Sequence, residues 1–149
     1  MKRYLTTTAL SCVLVLSSLL AAAAQQPKTT RDSAAEIKSL QEKRIEVLQK
    51  LVKVCDSQQR VGALPFESVA AAQYELIDAQ LDATNKPKER VVLLEQELKV
   101  AEHVQRYLEG KYKAGFKSFE ADLLRAESQC LSVKIELLRE RSRLKAVTK

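Results

Sequence analysis

Three glycines, three phenylalanines, one histidine and no tryptophan in 149 residues remove several kinds of protein before any pattern is sought. Each glycine stands alone, so there is no glycine-rich loop to cradle a phosphate. His103 is the single histidine, and a Ser-His-Asp or Cys-His pair would have to use it. It sits in the charged stretch Glu102–Arg106, where a solvent-facing side chain is expected. A metal site would require Cys55, Cys130 and His103 to converge from separate segments, with no CxxC or HxxxH spacing to assist. Paired carboxylates such as Glu95 and Glu97, or Glu136 and Glu140, fall where a charged helix surface puts them. The chain is expected to be no enzyme, and to hold no metal and no cofactor.

Scarce Gly and Pro beside abundant Ala, Leu, Glu, Lys, Gln and Arg is the composition of long helices or coiled coil. The first 24 residues stand apart. Lys2 and Arg3 precede the mostly apolar run Leu5–Leu20, and Ala22, Ala23 and Ala24 follow as a small-residue cleavage pattern. Thr6, Thr7, Thr8, Ser11, Ser17 and Ser18 interrupt the run, and a membrane anchor needs about 20 apolar residues in succession. Residues 1–24 are therefore read as a cleaved signal peptide, and the protein as exported and not membrane-spanning after cleavage. Residues 25–31, polar and containing Pro27, read as a flexible leader, and 32–149 as the helical domain. Removing Lys2 and Arg3 leaves 23 basic against 19 acidic side chains, an excess of about +4. These cations are dispersed rather than gathered in a stripe with aromatics, so no nucleic-acid partner is expected.

Four helices are expected. The first begins near Asp32 or Ser33 as a cap, with Ile37, Leu40, Leu48, Leu51 and Cys55 as its apolar stripe, widened by Ile45, Val47 and Val52. Gly62 ends it in the left-handed conformation, and Pro65 opens the second helix, whose stripe is Val69, Ala72, Leu76, Ala79 and Ala83. Pro87 breaks the chain again, with Thr84 or Asn85 as cap. The third helix then runs over about 88–113 with Val91, Leu94, Leu98, Ala101, Leu108 and Tyr112 in register and Gln105 as a polar intruder. Gly110 within it marks fraying or close packing. Gly115 ends the third helix and Ser118 caps the fourth, whose seam is Phe119, Leu123, Ala126, Cys130, Val133, Leu137 and Leu144, broken by Glu140.

Superposing Gly62 on Gly115 places Phe66-Glu67 on Phe119-Glu120 at a spacing of 53 residues, so the domain reads as two helix-Gly-turn-helix repeats, about 32–84 and 88–146. Short connections make neighbouring helices antiparallel and put both glycine turns at one end. The fold class expected is all-α: antiparallel hairpins forming a four-helix, coiled-coil-like bundle. Phe66 and Phe119 are expected to plug its end, with Phe116 exposed. Cys55 lies 7 residues from its turn and Cys130 15 from the other. At 1.5 Å per residue their heights differ by roughly 12 Å, against the roughly 7 Å that a disulfide tolerates, so two free buried thiols are expected.

The stretches "RVGALPFESVAAAQYELIDAQ" and "KYKAGFKSFEADLLRAESQC" resemble the periplasmic tips of TolC-type outer-membrane efflux proteins. In that family a Tyr-x-x-Gly turn followed by Asp-Val-Leu-x-Ala joins two long helices, once per repeat. Tyr112, Gly115, Asp122, Leu123, Leu124 and Ala126 follow the pattern. The first copy keeps Val61, Gly62 and, with a one-residue slip, Val69 and Ala72, but lacks the Tyr and Asp. The likeness spans about 110 residues. Each repeat of the family also carries barrel strands, and no alternating segment of roughly ten residues occurs here. The resemblance therefore implies a tip that meets a helical hairpin, possessed in the family by a periplasmic adaptor, without a conducting barrel. It maps to Val61, Gly62 and Ala63, and to Ala114, Gly115 and Phe116. The expectation is a structural or protein-interaction role in the periplasm or cell envelope, linked to an efflux assembly or to self-association. The alternative is a periplasmic chaperone or stress sensor holding unfolded clients on an amphipathic surface. That alternative requires seam residues such as Leu94 and Leu137 to be accessible, whereas a closed bundle buries them.

Overall fold

The computed structural model describes residues 27–147, with side chains for 32–146. The signal-like segment 1–24, with Cys12, and the first two leader residues lie outside the described residues. Four α-helices follow in order: α1 Pro27–Arg60, α2 Phe66–Ala83, α3 Pro87–Lys113 and α4 Glu120–Val147. A single 3-10 turn, Lys117–Phe119, precedes α4, and no strand occurs among the described residues. The chain divides into two compact units, Met1–Ser39 and Leu40–Lys149. In the first, the described part is the opening of α1, with the side chains of 32–39 exposed.

The second unit consists of antiparallel hairpins. The α1/α2 pair is antiparallel because Gln41 Nε2 donates to the Asp82 carbonyl (3.2 Å) near one end, while Cys55, Val69 and Ala72 pack together near the other. Helix α3 runs beside α2 and along α4. Its register against α4 is set by Arg141–Glu95 (2.8 Å), Lys134–Glu102 (3.5 Å) and Gln129 Nε2 donating to Glu97 (3.3 Å).

The buried set follows the expected stripes most closely in α4, where Ala126, Cys130, Val133 and Leu137 are all buried. In α2 and α3, Val69, Ala72, Ala79, Leu94, Ala101 and Leu108 are buried, but so are Ala70 and Ile77, which lie off the expected stripe. A helix with a neighbour on each side buries two rows, and one heptad row describes only one of them.

Helix α1 departs most. It already includes Pro27–Arg31, ahead of the start expected at Asp32 or Ser33, so that stretch is helical and not a flexible leader. Leu48 and Cys55 are buried and Ile45 and Val52 half-buried, whereas Ile37, Leu40, Val47 and Leu51 are exposed. The 18 residues of α2 against the 34 of α1 give the reason. At 1.5 Å per residue α2 reaches about half the length of α1 and covers one side of it.

Capping also differs in detail. Pro65 and Lys86 occupy the N-cap positions of α2 and α3 without side-chain caps. Thr84 acts from two residues earlier, its Oγ1 accepting from the Lys86 amide (3.3 Å) and donating to Glu89 (2.6 Å). Ser118 lies inside the 3-10 turn and does not cap α4. Gly110 is helical, and a Cβ there would meet nothing within 4 Å, so close packing does not explain it.

Candidate functional site

Both glycine turns adopt one stereochemistry. At the first, the Gly62 amide donates to the Gln59 carbonyl (2.9 Å) and the Ala63 amide to Gln58 (2.8 Å), with Gly62 at φ +72°. At the second, Gly115 donates to Tyr112 (3.1 Å) and Phe116 to Lys111 (3.2 Å), with Gly115 at φ +98°. Each pair is the 5→2 and 6→1 bonding of a Schellman motif, which needs a left-handed residue one position beyond the helix. Only glycine takes that conformation without a clash at Cβ. The 53-residue repeat read from the sequence is thus repeated in hydrogen bonding.

The two turns share an end, joined through Lys111. Its Nζ lies 3.8 Å from Glu67 Oε1 of α2, 4.7 Å from the Tyr107 ring centre and 4.6 Å from that of Phe119. A hydrogen bond with Tyr107 and the nearby Glu67 charge hold the ammonium above the ordinary lysine range. Phe66 packs against His103 (4.5 Å) and Tyr107 (5.0 Å), and Phe119 meets Phe116 edge to face at 6.4 Å. Lys117 stands over Tyr112 at 3.8 Å. Phe66 and Phe119 are half-buried in this layer, and His103 is exposed to solvent despite its contact with Phe66.

All six residues assigned to the tip, Val61, Gly62, Ala63, Ala114, Gly115 and Phe116, are exposed. Phe116 is 59% and Val61 78% accessible. The end that carries these aromatic and cationic contacts therefore presents two apolar side chains to solvent, a layout suited to recognition by apolar contact. The Lys111 bridge was partly legible, since Tyr107 and Lys111 stand four apart on one helix face. Its reach to Phe119 and Glu67 was not, because both depend on how helices meet.

A second polar group lies mid-bundle. Glu97 is buried, accepts from Gln129, and is held above the usual carboxylate range by burial and then by the Asp78 and Glu136 charges, with the Gln129 bond acting the other way. Burial, together with the Cys130 and Glu97 charges, pushes the neighbouring Tyr74 hydroxyl up to about 12. Burial likewise raises the Cys130 thiol, and Cys130 and Cys55 are both free and buried.

Because the folded form holds the Glu97 proton more tightly than the unfolded chain does, stability is lost as pH rises from the ordinary value of 4.5 through the raised folded value. Glu97→Gln removes that loss and keeps a partner for Gln129. It is expected to raise the urea midpoint at about pH 7 and to leave it near wild type at about pH 3.5. Equal shifts at both pH values would assign the effect to packing.

Comparison of the chain with family models, with curated proteins and with solved structures finds no match.

Proposed function

We propose that this is an exported, non-enzymatic helical-hairpin protein of the cell envelope that uses its glycine-turn end to engage a helical hairpin of another protein. The observation that carries the reading is the pair of equivalent Schellman turns at one end, linked by the Lys111–Glu67 ion pair, with Phe116 and Val61 exposed there. The resemblance of the two turns to TolC-type tips supports a hairpin of the periplasmic-adaptor type as partner, within an efflux assembly. No helix of the described residues is long and apolar enough to cross a membrane.

Leu94 is wholly buried and Leu137 nearly so. These two seam residues, which an open chaperone would offer to unfolded clients, are covered by the chain's own helices, which supports the docking reading.

Photo-crosslinking in cells with the probe at Phe116, and a control probe at the exposed Val92 of α3, tests the proposal. Capture of one defined envelope protein at Phe116 alone is the expected result. Many different clients at Val92 with nothing specific at Phe116 would replace it with the chaperone.

A further inference from the structure

Two carboxylates are buried among the described residues, and their surroundings are opposite. Glu140 has two guanidinium partners, Arg90 at 3.5 Å and Arg143 at 3.0 Å. Glu97 forms no ion pair among the described residues, and its side chain is bonded by the neutral amide of Gln129 at 3.3 Å. A buried carboxylate that lacks a cation avoids most of the penalty of burial by keeping its proton.

Glu97 also stands where three helices meet. From α2 it is faced by Tyr74 and Asp78, and from α4 by Gln129 and Glu136, with the Cys130 thiol near Tyr74. Glu136 has Arg90 at 3.5 Å. The charged groups that face Glu97 from both neighbours are thus acids, and its ionisation adds a third carboxylate between them.

The cationic links from α3 to α2 lie at the two ends of α2. Lys111 reaches Glu67 at the glycine-turn end, and Arg90 donates to the Leu81 and Thr84 carbonyls at the other. Between these links α2 passes the Glu97 cluster. The part of α1 beyond Ser39 is held to α2 by the packing of Cys55 on Val69 and Ala72 and by the bonds of Gln41 and Arg44 to Asp82.

We propose that Glu97 is a proton latch: protonated, it lets α2 close on α3 and α4, and ionised, it drives the α1/α2 pair away from them. Burial and the Asp78 and Glu136 charges hold the carboxyl above the usual range in the closed form, and water restores the ordinary value of 4.5 when α2 lifts away. The closed form binds the proton more tightly, so it is favoured in acid and loses ground as pH rises through the raised value. The Lys111–Glu67 link between the two glycine turns belongs to the closed form. Docking at that end therefore weakens over the same pH range, a consequence that rests on the function proposed above, whereas the latch does not.

Amide hydrogen exchange of the full chain, read by peptide mass spectrometry on wild type and Glu97→Gln at the same pH, tests the latch. The intrinsic pH dependence of exchange, and any contribution of His103 beside Phe66, are common to both chains and cancel. At about pH 4 the two are expected to exchange alike. At about pH 8 the α2 amides of wild type should exchange at least about 3-fold faster than those of the variant, with α4 unchanged. Gln129→Lys places an ammonium beside Glu97 and should bring α2 exchange at about pH 8 back to the Glu97→Gln rate. A ratio for α2 that does not change with pH would overturn the latch. So would an equal pH-dependent change across α2, α3 and α4, which is a loss of global stability with no separate release of α2. Photo-crosslinking at Phe116 reads docking on its own, so failure of the latch and failure of the docking reading are distinguishable.

Discussion

Leu94→Ala is expected to lower the unfolding free energy by about 3 kcal/mol, the middle of the range for truncating a buried leucine. Among the described residues, Leu94 is the one large side chain with no accessible surface. Truncation therefore removes transfer free energy and leaves a cavity that the surrounding helices close only in part. Domains are typically stable by about 5–15 kcal/mol, so the loss would be a large share of the total. A urea titration would show it as a lower midpoint at unchanged slope. A loss below about 1 kcal/mol would mean that Leu94 is not packed as described, and would reopen the chaperone reading, which needs that seam accessible.

Arg90→Ala is expected to cost a similar amount, about 2–4 kcal/mol, through a different cause. Arg90 joins three elements. Its Nη1 donates to the carbonyls of Leu81 (2.9 Å) and Thr84 (3.4 Å) at the end of α2. From α3 its guanidinium also lies 3.5 Å from the carboxylates of Glu136 and Glu140 on α4. The Glu140 side chain is only 4% exposed and is also bonded by Arg143 at 3.0 Å. Removing Arg90 leaves that carboxylate with one cation and the two carbonyls without this donor.

The double variant Arg90→Met, Glu140→Leu separates these contributions. A buried ion pair replaced by apolar groups of similar volume is often close to neutral. The double variant should therefore recover most of the loss, and the remainder reports the two carbonyls. Equal stability of Arg90→Ala and the double variant would show that Glu140 does not depend on Arg90.

Glu140 also shows where a heptad reading stops. By spacing it belongs to the α4 seam with Leu137 and Leu144, and by residue type it is an interruption. The structure keeps both descriptions: Glu140 is buried in the seam and made tolerable by Arg90, a residue fifty positions earlier. The tip was legible because its determinants are local. A helix that ends at a glycine in the left-handed conformation is specified within about six residues, so Gly62 and Gly115 could be located, and matched to each other, from the sequence.

The sequence by itself determined the all-α class, the positions of α2, α3 and α4, both glycine turns, the α4 seam and the expectation, met in the structure, that Cys55 and Cys130 are free. Each follows from spacing along one helix or one turn. Only the tertiary structure decided which of two apolar rows a helix buries. In α1 it chose the side with Leu48 and Cys55 and exposed the one with Leu40, Val47 and Leu51, and in α4 it left Leu124, Leu131, Ile135 and Leu138 uncovered. Periodicity shows that a row is apolar, but burial depends on a neighbour's length and position, and those are properties of the assembled helices.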